Sequence, residues 1–196
     1  MREAIFPGTF NPIHLGHLCI AESARQQFGL ARVHFVLTPQ PPHKAGGASL
    51  LPVEARESLL RAALAGNESF SLDLRELSRE GPSYTAQTIA QLQAESSDPT
   101  ARIGMIQGLD SFLTLRTWYQ PEQLAASCRF LVAPRLGWDQ YEIEDALASF
   151  HQSLDWELVD SPLLAISSSQ IRQRKASGQS YRYLLPAPVY EQYREL

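Results

Sequence analysis

The chain has 196 residues, 44% of them hydrophobic and 19% charged, which is the balance of an ordinary globular protein long enough for a substantial core. Its 17 basic and 21 acidic side chains leave a net charge of −4, excluding the global basic field that non-specific nucleic-acid binders use. No basic leader opens the chain and no run nears the ~18 apolar residues of a membrane span, so the expectation is a cytoplasmic protein without membrane or nucleic-acid partners.

Residues 4–6 are apolar and predict a short buried strand, broken by Pro7-Gly8-Thr9. Asn11-Pro12 offers a helix cap followed by a first-turn proline, and Leu18, Ala21, Ala24 and Phe28 recur at helical spacing to about Gly29. A strand, a glycine turn and a helix N-terminus together make an anion site, because free N–H groups and the positive end of the dipole face the loop. His14 and His17 stand there at i and i+3, on one face of the first turn. Three readings are open: capping histidines, a zinc site that lacks its third and fourth ligands, or two imidazoles on phosphate oxygens. Cys19 and Cys128 lie in apolar segments without a spaced framework and are expected to be buried free thiols.

Residues 33–37 predict a second strand, and strand, helix and strand in about 35 residues make a βαβ unit with a right-handed crossover. Ligands of such sheets bind at the carboxyl ends of the strands, so the loops after Phe6 and Leu37 are expected to face one crevice. His34 reads as a core or edge residue. The loop at 38–47 is stiffened by prolines and carries His43 beside Lys44, one of only two lysines, the other being Lys175. A helix follows at 51–65 with Arg56 expected on its exposed side, then a strand at 70–74 and a polar turn at 77–82. Ser83 or Thr85 would cap the next helix, whose free N–H groups suit a second anion such as a carboxylate.

A strand at 103–106 runs into Gly108-Leu109-Asp110, where the acid suits either a ribose diol or a helix N-cap. Trp118 reads first as a core residue. A strand at 128–133 leads to Arg135, within reach of a phosphate or a base. Residues 138–151 read as a helix without chemistry, and 156–159 as a last strand. Ser167, Ser168 and Ser169 then precede Arg172 and supply hydroxyls, free N–H groups and a planar fork for a polyphosphate, the bland alternative being a flexible linker. A helix at 188–196 closes the chain. No internal repeat and no Walker-type phosphate loop occurs.

The GTFNPIHLGH string at 8–17 resembles the signature of the HxGH nucleotidyltransferase superfamily. PPHK at 41–44, SYT at 83–85, the Gly108-to-Trp118 segment and ISSSQIR at 166–172 are similar to those of the nicotinate-nucleotide adenylyltransferases. The resemblance implies an α/β fold of Rossmann type, a doubly wound and mainly parallel sheet with helices on both faces. It implies a single domain over 1–196, with about 167–196 packed on it. It also implies transfer of AMP from ATP to nicotinate mononucleotide, giving nicotinate adenine dinucleotide and pyrophosphate. His14, His17 and Lys44 would serve the chemistry. Gly8, Thr9, Phe10, His14, His17, Gly108, Asp110, Ile166, Ser167, Ser168 and Arg172 would bind ATP. Thr9, Lys44, Tyr84, Thr85, Trp118 and Arg135 would bind the acceptor nucleotide. Magnesium is expected on the ATP phosphates rather than in a protein cage, and a homo-oligomer is left open. Pro7, Asn11 and Gln87 depart from the family's usual Gly, Asp and acid. Pantetheine-phosphate adenylyltransferases share the PGTF opening but usually have Thr for the first histidine and lack the PPHK and SYT segments. A silent nucleotide sensor of the same fold is the third alternative.

Overall fold

The apolar and β-branched runs become strands that pair only in parallel. A computed structural model describes residues 2–41, 50–148, 150 and 153–196. In it β1 (Glu3–Gly8), β2 (Arg32–Leu37), β3 (Phe70–Asp73), β4 (Ile103–Gly108), β5 (Cys128–Ala133) and β6 (Asp155–Leu158) form one sheet in the order β3-β2-β1-β4-β5-β6. Winding reverses between β1 and β4, and an open α/β sheet binds its ligands in the crevice at that point. The register aligns Gly8 with Leu37 and Gly108 with Ala133, so these strand ends open together.

Adjacent residues on each strand face opposite layers. Phe6, Phe35 and Leu37 join one core with Ala21 and Ala24 of α1 (Leu15–Gln27), Leu59, Leu60 and Leu64 of α2 (Val53–Leu64), Ile171 of α7 (Ser168–Ala176), and Val189 and Tyr193 of α8 (Ala187–Tyr193). Ile5, Val36, Met105 and Phe130 join the other, under α3 (Thr85–Glu95), α4 (Leu109–Leu113), α5 (Pro121–Ser127) and α6 (Gln140–Ala148). Burial on both faces is what a parallel sheet requires. The doubly wound Rossmann-type fold is therefore as expected. Among the described residues no helix is long and apolar enough to cross a membrane.

Several local expectations are corrected by tertiary contacts. Asn11 does not cap α1. Its Oδ1 accepts from the Leu51 N–H at 3.0 Å, the Asn11–Pro12 peptide is cis, and the helix starts later with His14 as N-cap. Ser83 does not cap α3, because its Oγ accepts from the Gln40 N–H and its own N–H donates to the Gln40 carbonyl. Tyr84 takes the N-cap position, with no side-chain cap at all. His34 is neither core nor edge: it lies on an interior strand, half-exposed, between Glu3 Oε2 at 3.0 Å and Ser71 Oγ at 2.7 Å. Cys19 is only partly buried, whereas Cys128 is fully buried and its thiol is pushed up to about 12 by desolvation.

The largest correction is Arg56. It is 2% exposed rather than on the outer side of α2. Its Nε donates to the Leu51 carbonyl (3.1 Å), Nη1 to the carbonyls of Thr9 (2.9 Å) and Thr38 (2.8 Å), and Nη2 to that of Pro39 (2.9 Å). One guanidinium thus ties together the loops that leave β1 and β2. Only its fork of five donors can do this; an ammonium with three donors cannot reproduce the planar geometry. Arg56→Met leaves those carbonyls without their partner and is expected to lower stability by on the order of 3 kcal/mol. Urea unfolding measures it, and a loss below about 1 kcal/mol would show that the loops hold themselves.

Candidate active site

The β1–α1 turn is built around two glycines. A Cβ on Gly8 would lie 2.7 Å from Phe10 Cζ, because the Phe10 ring folds back over the strand end. That ring is buried between Phe6, His17 and Phe35, so Phe10 offers the crevice its backbone and not its side chain. A Cβ on Gly16 would meet His14 Nδ1 at 3.0 Å and Cε1 at 3.1 Å. Glycine at that position is what lets the His14 imidazole lie against the first turn of α1.

The two imidazoles stack, with centroids 3.6 Å apart. The His14 N–H donates to His17 Nδ1 at 3.2 Å, which leaves Nε2 as the N–H-bearing nitrogen of a neutral His17. His14 is buried, its Nδ1 has no partner among the described residues, and desolvation lowers its pKa from 6.5 to about 4. At neutral pH it is an uncharged donor, not a cation.

The serine motif joins this turn from more than 150 residues away in the chain. Ser167 caps α7 by accepting from the Gln170 N–H at 3.1 Å. Ser168 Oγ donates to the Pro12 carbonyl at 2.8 Å. Arg172 donates from Nη1 to the Asn11 carbonyl at 2.7 Å and from Nη2 to Ser169 Oγ at 3.2 Å. Two helix N-termini are thus fastened side by side, the arrangement a polyphosphate needs.

Beside them lies a cavity of about 450 Å³. Pro7, Gly8 and Thr9 line it from β1, Thr38 from β2, Ser83–Thr85 from the start of α3, Asp110 and Ser111 from α4, and Trp118 and Tyr119 from the following segment. The Tyr84 and Tyr119 rings pack at 4.5 Å. Trp118 packs against the second core and also forms a wall of this cavity. α3 has no acid in its first turn, and among the described residues the Thr85 and Ala86 N–H groups find no acceptor. The slot suits a flat ring bearing an anionic substituent.

A smaller cavity of about 60 Å³ lies on the other side of His14, lined also by Gly16, Arg135 and Ile166. Asp110 and Arg135, expected on different ligands, are paired with each other at 2.6 Å, and Arg135 also meets Glu142 at 3.0 Å. Asp110 keeps 79% of its side chain exposed, so this pair adds little stability and opens easily. Gly108 is the N-cap of α4, at the open end of β4. Lys44 and His43 lie outside the described residues. Among the described residues no group of three His, Cys, Asp or Glu side chains could hold a metal.

Sequence reasoning missed Arg56, although a signal existed: it stands one turn before the buried Leu59 and Leu60, on the apolar face of its helix. It also missed Glu76, Arg79 and Thr88, a buried polar cluster behind the large cavity for which the sequence carries no spacing signal.

The chain is similar over most of its length to known proteins. The cytidylyltransferase-like family matches residues 5–174. A probable nicotinate-nucleotide adenylyltransferase of Symbiobacterium thermophilum is 40% identical over 190 residues, covering 96% of this chain and 90% of the relative. One of Cronobacter sakazakii is 40% identical over 202 residues, covering 95% and 90%. Among solved structures, Plasmodium falciparum nicotinic acid mononucleotide adenylyltransferase complexed with NaAD superposes with a TM-score of 0.78 over 98% of this chain and 94% of that one. At 16% identity this last likeness speaks to the fold alone.

The burial of His14 has a consequence for stability. Between pH 6.5 and about 4 the unfolded chain takes up a proton at this position that the folded protein refuses. The contribution is therefore present in full above pH 6.5 and is lost as the pH falls toward 4, by on the order of 3 kcal/mol. Urea unfolding at pH 7.5 and 4.5 should show a pH dependence that His14→Gln reduces; parallel curves for the two proteins would mean that the folded imidazole is protonated freely.

Proposed function

The chain belongs to the nicotinate-nucleotide adenylyltransferases of the cytidylyltransferase-like family, and we propose that it transfers AMP from ATP to nicotinate mononucleotide, yielding nicotinate adenine dinucleotide and pyrophosphate. The observation that carries this reading is the joining of the β1–α1 turn to the N-terminus of α7 beside a slot with aromatic walls and free α3 N–H groups.

A phosphate oxygen of the mononucleotide attacks the α-phosphorus of ATP in line. The new O–P bond forms as the bond to the bridging oxygen of pyrophosphate breaks, and the electron pair leaves with pyrophosphate. A phosphate monoester dianion is already nucleophilic, so the protein needs no general base. Its work is to align two polyanions and to stabilise the charge that develops on the α-phosphate and the leaving group.

In this reading His17 donates from Nε2 and His14 lies beside it as a neutral donor. Gly8, Thr9 and the Phe10 backbone shape the turn. Ile166, Ser167, Ser168 and Arg172 hold the β- and γ-phosphates at the start of α7, and Gly108 and Asp110 meet the ATP ribose. Arg135, released from Asp110, turns to a ligand. Lys44 follows the migrating charge. Magnesium would be carried by the ATP phosphates, where it would offset part of their charge.

The acceptor's pyridine ring lies against Trp118, with its carboxylate at the Thr85 and Ala86 N–H groups and Tyr84 beside them. Gln87 fits this role: the first turn of α3 carries no carboxylate to compete with the substrate's. Asn11 uses its side-chain oxygen as an acceptor, which an aspartate would also supply. We take residues 1–196 as one catalytic domain, and the dependence on ATP supports a cytoplasmic setting.

Pyrophosphate release with magnesium and ATP is expected to be fast with nicotinate mononucleotide, slow with nicotinamide mononucleotide and absent with phosphopantetheine. Turnover with phosphopantetheine alone would reassign the acceptor, and silence with all three would leave a nucleotide sensor. His17→Ala is expected to lower kcat by on the order of 10²–10³ without changing the unfolding transition. Near-normal turnover of that folded variant would remove His17 from the mechanism.

A further inference from the structure

Behind the large cavity lies a buried polar cluster that none of the roles above uses. Glu76 comes from the 3₁₀ turn Arg75–Ser78 between β3 and α3, and its side chain is 1% exposed. Thr88, fully buried one turn inside α3, donates from Oγ1 to Glu76 Oε1 at 2.6 Å and accepts from Arg79 Nη2. Arg79 Nη2 is 3.5 Å from the same carboxylate oxygen. Burial pushes the Glu76 carboxyl above the usual carboxylate range, and Thr88, Arg79, Thr38 and Ser83 offset this in part; among the described residues its Oε2 has no partner at hydrogen-bonding geometry.

We infer that Glu76, Thr88 and Arg79 are positioning residues that fix the first turn of α3, and with it the N–H groups that receive the acceptor's carboxylate. The acceptor's identity rests on the function proposed above; the positioning does not. Burying a carboxyl beside a partly exposed guanidinium is costly and gives little net stability compared with apolar packing. Such a cluster is better placed to define one geometry. Here the geometry is that of Tyr84. Its carbonyl accepts the N–H groups of Gln87 and Thr88, at 3.0 and 3.4 Å, so a Thr88 held by side chain and main chain alike holds Tyr84. Ser83, next to it, is tied to Gln40 after β2. The wall that carries Ser83, Tyr84 and Thr85 is thus anchored from behind. None of the cluster's contacts runs to His14, His17 or α7. The anchor should therefore act on the acceptor half of the site alone.

The test is Thr88→Val in the full chain, with Thr88→Ser as the conservative partner. Thr88→Val keeps the shape and loses both hydrogen bonds. KM for nicotinate mononucleotide should rise by on the order of 10-fold, while kcat and KM for ATP stay within about 2-fold, the pattern of lost binding at one substrate. Thr88→Ser should restore the wild-type value. Amide exchange at Gln87, whose N–H donates to the Tyr84 carbonyl, should quicken in Thr88→Val and not at His17, whose N–H donates to the His14 carbonyl. An unchanged KM for the mononucleotide, or equal rises for both substrates, would overturn the inference. If the wild-type protein does not turn over nicotinate mononucleotide, the proposed reaction fails and exchange decides this point: selective quickening at α3 supports it, unchanged exchange sinks it. Should Thr88→Val not fold, Arg79→Met, at a partly exposed position, carries the same readouts with the same outcomes.

Discussion

The Arg56 guanidinium ties together the two loops that leave β1 and β2, just beyond the last backbone bond of the sheet, from the Thr38 N–H to the Gly8 carbonyl. Parallel strands end at a common level, but the backbone that leaves them is no longer paired by the sheet. Its carbonyls must find donors or water. Arg56 supplies donors to Thr9 on one side and to Thr38 and Pro39 on the other, and to Leu51 at the entrance of its own helix. The crevice at the β1 and β2 ends is therefore a defined shape and not a gap between loops. Asn11 adds a second tie to the same region through the Leu51 N–H.

On this frame the site meets negative charge mainly with oriented dipoles. His14 is neutral when folded, and Arg172 spends one of its arms on the Asn11 carbonyl. In the proposed reaction, the groups left to meet the ligand would be N–H groups at helix starts, a histidine N–H and serine hydroxyls. Donors held in place by the fold need no reorganisation as charge develops, which is the arrangement that favours a phosphoryl-transfer transition state. Arg135, just beyond the end of β5, is parked between Asp110 and Glu142.

The two halves of the site are held by separate devices. The turn after β1 and the start of α7 brace each other through Ser168 and Arg172. The wall formed by Ser83, Tyr84 and Thr85 is braced by Gln40 and by the cluster behind α3. Changes at one brace can thus alter one substrate's binding without dismantling the other's.

Much of this was legible in the residues. Strand periodicity and the βαβ spacing follow local rules of period and turn chemistry, and so they predicted the parallel sheet, while the resemblance carried by the HxGH string and the serine motif pointed to the family. The positions of helix starts were not legible, because Asn11 and Ser83 have a capping residue's chemistry and yet give their oxygens to Leu51 and Gln40, far along the chain. Nor was the fate of Glu76, and Arg56 showed only its place on the apolar face of α2 and not its partners, since a charged side chain is buried only when distant partners converge on it. The sequence by itself determined the order of strands and helices and the chemistry at their ends. Only the tertiary structure decided which polar groups face ligand and which are consumed in holding the site, because that depends on hydrogen bonds between segments whose separation in the chain carries no trace of their contact.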